Sequence, residues 1–149
     1  FGNGLYVLEK GNKEIFKYTY SDSGFGERTR WFKESQVMTV VPVDMAIDVD
    51  IWVVSEKGVV ERFRRGVKEN FALTGLPVDV QISKIAVERD GSRVALLSPK
   101  TGTVFFCSKD SGSCSQQIKA EKLFMARDIE FDEENKLVVL FPGFVGVLN

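Results

Sequence analysis

Residues 50–63, Asp-Ile-Trp-Val-Val-Ser-Glu-Lys-Gly-Val-Val-Glu-Arg-Phe, run from an apolar stretch through a polar glycine turn into a second apolar stretch. Such a stretch reads as two short strands and a tight turn. The pattern returns three times. Residues 5–8 lead through Lys10, Gly11 and Asn12 to Ile15 and Phe16. Residues 94–97 lead through Lys100 and Gly102 to residues 104–106, and residues 137–140 lead through Pro142 and Gly143 to Phe144 and Val145. The starts at 5, 51, 94 and 137 are separated by 46, 43 and 43 residues. A period of roughly 40–50 residues written in short strands is that of propeller blades. One such sheet cannot bury both of its faces, so the units must stack.

The repeat divides the chain into units at about 4–41, 42–78, 79–125 and 126–149. Expected strands are 5–8, 14–20 and 27–33 in the first unit, which lacks an inner strand. The second holds 43–49, 51–54, 59–64 and 69–74, with residues 65–67 as a turn; the third holds 84–89, 93–97, 103–108 and 115–121. The fourth holds 128–132, 137–141 and 144–148. The expected fold is all-β: propeller blades of four antiparallel strands in an incomplete ring, with two full and two three-stranded units. Within each unit the second strand is nearly all apolar, which predicts cover on both faces, and the fourth is the most polar, which suits an outer edge. An irregular β-sandwich competes, but the constant step favours blades. A helix over 116–125 is the weaker alternative there, because Ile118, Leu123 and Phe124 fit helical spacing poorly. Three arrangements would protect the open edges: a small four-bladed ring, two chains completing one ring, or a larger propeller. The last two are favoured.

Composition removes several function classes. Of 149 residues, 44% are hydrophobic and 28% charged, which argues against disorder. Twenty basic residues face 21 acidic ones, so no global field collects nucleic acid or an anionic membrane. The longest apolar stretch, 137–148, is broken by Pro142 and Gly143 and is too short to insert in a bilayer. There is no histidine, which removes His-based triads, His-ligated metals and imidazole switches. Two cysteines are too few for a structural zinc site. No metal and no cofactor are expected. The chain opens at Phe1 without a signal segment, and the expectation is a piece cut from a longer protein.

The first unit, with Gly11, Asn12, Ile15 and Phe16 in its turn and second strand, resembles an NHL-type propeller repeat. The later units keep the turn glycine as Gly58, Gly102 and Gly143 but lack the asparagine. WD repeats are a poorer match, since neither a Gly-His nor a Trp-Asp element occurs. More loosely, the chain resembles propeller halves of uncharacterised bacterial proteins that join such repeats to a phosphatase-like domain. That likeness implies that any catalytic part lies outside these residues. The stretch Ser108-Lys-Asp110-Ser-Gly112 resembles the first part of an Asp-box turn of sialidase-like blades, with Ser115 in place of the closing aromatic. The Asp-box is a folding element, so it implies a blade hairpin and not glycosidase activity.

Four groups of residues are candidates for chemistry or binding. Cys107 and Cys114 flank a six-residue loop; they are either cross-strand disulfide partners or two unrelated thiols. A disulfide would point to an extracytoplasmic location; otherwise the compartment is open. Arg28, Arg30 and Trp31 form one cluster and Arg62, Arg64 and Arg65 another. Arginine beside an aromatic grips carboxylates, phosphates or a peptide, although interleaved Glu27, Glu61 and Glu69 fit a solvated strand edge better. Asp44, Asp48, Asp50, Asp128, Asp132, Glu133 and Glu134 gather at inner strand ends, where turn roles outweigh cation binding or acid–base catalysis. Trp52 reads as core. No residue is assigned a catalytic role. The expected function is a non-catalytic scaffold for a protein, peptide or glycan, with self-association as one way to complete the ring. The alternative is part of a propeller hydrolase or lyase using axial carboxylates, with Asp48 and Asp132 the residues to test.

Overall fold

The computed structural model describes residues 2–148. Phe1, and Asn149 of the fourth expected unit, lie outside the described residues. The fold is all-β, a partial β-propeller of four small antiparallel sheets. Blade 1 holds β1 (Gly4–Glu9), β2 (Glu14–Ser21), β3 (Gly24–Phe25) and β4 (Thr29–Arg30). Both β3 and β4 pair with β2, Phe25 opposite Tyr20 and Arg30 opposite Phe16, so together they form one interrupted third rail. Blade 2 holds β5 (Pro42–Ile47), β6 (Ile51–Ser55), β7 (Val60–Arg64) and β8 (Val67–Lys68). Blade 3 holds β9 (Lys84–Val87), β10 (Arg93–Ser98), β11 (Thr103–Ser108) and β12 (Cys114–Lys119). Blade 4 holds β13 (Asp128–Phe131), β14 (Leu137–Phe141) and β15 (Phe144–Leu148). No helix among the described residues is long and apolar enough to cross a membrane.

Strand period 2 explains how one repeat builds two interfaces. In β6, Ile51 and Val53 point back into a cluster with Ile15, Phe32 and Phe63. Trp52 and Val54 point forward into a cluster with Ile85, Val87, Leu96 and Phe105 of blade 3. Ala95, Leu97 and Phe106 of blade 3 then meet Ile129, Phe131 and Val139 of blade 4. Each fully buried side chain of this kind stabilises by roughly 1.5–3 kcal/mol. Four blades therefore share three cores, and among the described residues no fourth core joins blade 4 to blade 1. The second strands of the end blades are accordingly covered on one face only, against the expectation from their composition. Leu5 and Val7 are 47% and 39% exposed, and Leu140 is 44% exposed.

Other differences from the sequence expectation have local causes. The fourth strand of blade 2 is Val67–Lys68, not residues 69–74. Arg65 and Gly66 both have positive φ, 51° and 82°, so a two-residue hairpin turn starts the return strand at once, and Val67 belongs to the strand. Gly66 is required there, because a Cβ would meet the Trp31 carbonyl at 2.7 Å. Residues 69–74 instead cross to blade 3. The Thr74 N–H donates to the Gly112 carbonyl, the Cys114 N–H donates to the Thr74 carbonyl, and Phe71 and Leu73 pack on the blade 2–3 core. The third rail of blade 1 is β3 and β4 rather than a continuous strand over 27–33. The helix alternative over 116–125 gives way to β12 and a single 3₁₀ turn, Glu121–Met125.

Candidate functional site

The inner strands β5, β9 and β13 place Asp44, Lys84 and Asp128 at equivalent positions around the axis. The Lys84 ammonium lies 3.8 Å from Asp44 Oδ1 and 3.6 Å from Asp128 Oδ1. The backbone N–H of Ile85, on the next blade, donates to Asp44 Oδ2 at 3.0 Å. Burial pushes the Asp44 carboxyl above its ordinary value; the Ile85 N–H and Lys84 oppose this, and Asp128 adds to it. Glu130, two residues along β13, is also raised, by desolvation first and then by repulsion from Asp128 and Asp44. A recess of about 380 Å³ beside it is lined by Ile47, Val87, Arg89, Glu130 and Phe131. Carboxyls raised in this way can retain a proton that an ordinary carboxylate loses. Lys84 stands where a cation shared by Asp44 and Asp128 would sit, and no three potential metal ligands cluster among the described residues.

A second carboxylate set holds the first turn of blades 2, 3 and 4. Asp48 Oδ1 accepts from the Asp50 N–H at 2.8 Å, Glu88 Oε2 from the Arg93 N–H at 2.9 Å, and Asp132 Oδ1 from the Glu134 and Lys136 N–H groups at 2.9 and 2.8 Å. The sequence reading placed Asp48 and Asp132 as the residues to test for catalysis; here both are turn-holding groups. Asp48 also accepts from Trp52 Nε1 at 2.9 Å and from the Lys109 ammonium at 2.7 Å. Lys109 is 8% exposed and donates to the Glu88 carbonyl as well, so it links blade 2 to blade 3.

The arginine clusters are mostly tied inward. Arg30 makes a two-pronged pair with Glu14, both contacts 2.9 Å, and donates to the carbonyls of Phe32, Glu34 and Gln36. Arg62 and Arg64 share Asp50, at 2.5 and 2.8 Å, and Arg62 stacks on Trp52 at 4.8 Å. Burial raises the Asp50 carboxyl, but hydrogen bonds from Arg64 and Arg62 outweigh it and hold the group below its ordinary value. Trp31 packs on Tyr6 and Phe32. Arg28 lies over the Phe16 ring at 4.2 Å in the exposed break between β3 and β4, and Arg65 sits exposed in its hairpin turn. The structure brings the two clusters together: the Lys33 N–H donates to the Gly66 carbonyl, so the Arg65–Gly66 turn lies against residues 31–33.

Cys107 and Cys114 stand opposite each other on β11 and β12 and are joined by a disulfide. The loop between them is the Asp-box-like turn. Ser108 Oγ accepts from the Asp110 and Ser111 N–H groups, each at 3.2 Å, and Gly112 takes φ +71°. Lys84, Glu88, Arg93, Lys109 and Glu130 were not singled out from sequence. Aligning Asp48, Glu88 and Asp132 across the repeats would have exposed the turn-holding set.

No protein-family model and no curated protein matches the sequence. Solved structures do match the fold. A nidogen/laminin complex aligns with TM-score 0.66 at 13% identity, over 91% of this chain and 51% of that one. A streptogramin B lyase aligns at 0.66 and 16% identity, over 99% and 47%. The WD40 repeats of RRP9 align at 0.66 and 12% identity, over 97% and 44%. The chain spans about half the length of the solved structures it matches. These likenesses establish a partial β-propeller, with the NHL-like character of the repeats standing at the level of blade architecture.

Proposed function

We propose that this chain is part of a propeller scaffold that binds a protein or peptide partner, with a glycan the less supported ligand. The observation that carries this reading is the use of buried charge. Asp48, Asp50, Glu61 and Glu88 are all bonded within or between blades, which makes a rigid frame and leaves no free buried nucleophile or base among them. The nidogen/laminin match is itself a complex of proteins and agrees with this use of the fold. In the two arginine clusters, Arg28 and Arg65 are exposed and offer their guanidiniums to a partner. Self-association is a further form of the same reading, motivated by the exposed faces of blades 1 and 4. The disulfide supports an oxidising compartment.

The axial carboxylates and the lyase match favour a second reading, part of a propeller enzyme. Asp44 or Glu130 would then act as the proton donor, not Asp48 or Asp132. One experiment separates the two. The immobilised chain is exposed to extract of its source cells, retained proteins are identified, and complexes are rebuilt from purified components and weighed by light scattering. A defined complex together with no turnover on a panel of esters, lactones and glycosides is the expected result. Turnover abolished by Asp44→Asn or Glu130→Gln in a folded protein, with no complex, would overturn the scaffold reading.

A further inference from the structure

We propose that the Cys107–Cys114 disulfide is a redox latch on the junction between blades 2 and 3. Such a latch goes beyond the scaffold reading and works equally in part of an enzyme. The bridge closes residues 108–113 into a loop, and that loop is what blade 3 sends across to blade 2. The Lys109 ammonium donates to Asp48 Oδ2 at 2.7 Å, and Arg62 Nη1 donates to the Lys109 carbonyl at 3.3 Å. The Thr74 N–H donates to the Gly112 carbonyl and the Cys114 N–H to the Thr74 carbonyl, both at 2.9 Å. Packing is equally close. A Cβ on Gly112 would stand 2.0 Å from the Ala72 carbonyl oxygen, and one on Gly75 would stand 2.8 Å from the Cys114 carbonyl oxygen. Among the described residues, the other polar contacts between these blades lie elsewhere. Asp44 meets Ile85 and Lys84 at the axis, and the Ile82 N–H donates to the Glu56 carbonyl beside the second turn of blade 2. The outer half of the junction is thus made by a segment whose two ends are tied by one covalent bond.

The two cysteines differ in access. Cys107 is 1% exposed, in the apolar core with Trp52, Val54 and Leu96. Cys114 is half-buried and lines a recess of about 340 Å³ with Gly75, Pro77, Phe105, Ser115 and Gln117. A dithiol reductant therefore attacks at the Cys114 sulfur. Its thiolate forms a mixed disulfide there and expels Cys107, which takes a proton because apolar surroundings disfavour the thiolate. The second thiol of the reductant then attacks the reductant's own sulfur in the mixed disulfide and releases Cys114. The two cysteines have taken up two electrons and two protons, and the dithiol leaves as a disulfide. A monothiol stops at the mixed disulfide, and Cys107 expels it again. Once reduced, Cys107 stays in the core as a small apolar side chain, so blades 2 and 3 remain stacked. Residues 108–113 are then held by hydrogen bonds alone, and the outer junction opens while the axial one holds.

The test compares the whole chain oxidised and after reduction by dithiothreitol, with the reductant removed under nitrogen. Two signals on opposite sides of the junction are followed: acylation of Lys109 by N-hydroxysuccinimidyl acetate, located by peptide mass, and exchange of the Thr74 amide. Urea is added to the oxidised sample until the two global stabilities match, so that only local opening distinguishes them. Both rates should be at least about tenfold higher in the reduced chain, with far-UV circular dichroism unchanged. Cys107→Ala with Cys114→Ala should behave as the reduced chain does and ignore dithiothreitol. Mercaptoethanol at the same thiol concentration should leave the latch closed. Faster exchange confined to β11 and β12, with Lys109 and Thr74 unchanged, overturns the proposal, since the bridge would then only staple its own hairpin. Loss of the circular dichroism signal on reduction overturns it too, because a latch must open in a folded chain. Opening by mercaptoethanol as fast as by dithiothreitol overturns the route through Cys114.

Discussion

Replacing Lys109 by methionine tests the link between blades 2 and 3. The Lys109 side chain is 11% exposed and that of Asp48 8%, and they meet at 2.7 Å. Removing one partner of a buried pair costs about 3–5 kcal/mol, because the other charge is left without compensation. Asp48 keeps two donors, the Asp50 N–H and Trp52 Nε1, which hold part of its charge. The expected loss therefore sits at the lower end, about 3 kcal/mol. For a chain of this size that lowers Tm by roughly 6–12 °C. Urea unfolding followed by tryptophan fluorescence reports it directly, since Trp52 is bonded to Asp48. Asp48→Asn with Lys109→Met removes both charges and leaves an acceptor for Trp52, so it should recover at least about 1 kcal/mol relative to Lys109→Met alone. A Lys109→Met protein within about 0.5 kcal/mol of wild type would refute the reasoning, for that is the effect of an ordinary surface change. So would a double variant whose loss equals the sum of the single ones.

Three further outcomes follow from the same geometry. Gly112→Ala should cost at least about 2 kcal/mol, since its Cβ would lie 2.0 Å from the Ala72 carbonyl oxygen at φ +71°. Gly143→Ala, at φ +86° in open space, should cost only the backbone strain of about 1 kcal/mol, so comparing the two melting curves isolates the clash. Cys107→Ser with Cys114→Ser should lower stability by about 2–3 kcal/mol, the chain-entropy value for so short a loop, and dithiothreitol on wild type should reproduce the shift in urea midpoint. For Glu61, burial raises the carboxyl, but hydrogen bonds from Lys68 and Thr39 outweigh it and leave the folded value below the ordinary 4.5. Its stabilising contribution is thus complete above the unfolded value and disappears as pH falls through the folded one. Denaturant titrations from pH 6 to pH 3 should show a shallower acid limb for Glu61→Gln than for wild type.

What could be read from sequence was what a single strand records locally. Val53 and Leu96 lie in runs that are apolar at every position because each run serves two neighbouring cores, and that signal set the blade spacing. The return strand of blade 2 was misplaced because its start depends on two residues of positive φ, and Arg65 carries no sequence mark of that conformation. Phe71 and Leu73 alternate as a strand would, yet their segment bonds to the next blade at Thr74, while the Phe71 ring packs edge-on against Trp52 of its own blade. Lys109 was hidden for a different reason. Its charge partner, Asp48, is 61 residues away, and only the stacking of blades brings the two together. The arginines pointed to binding from composition alone, while the structure ties Arg30, Arg62 and Arg64 to carboxylates of their own sheets.

Three cores joining four blades in series make the chain a one-dimensional array. Each blade is stabilised only by its nearest neighbours, so blades 2 and 3 have two supporting contacts and blades 1 and 4 have one. Unfolding of such an array proceeds inward from its ends, at a lower free energy than global opening. Amide exchange should then be slowest in β6 and β10 and fastest in β1 and β15, and the melting transition should be broader than for a ring in which every blade is flanked twice. Covering either end would raise the stability of blades it never touches, passing the effect along the row.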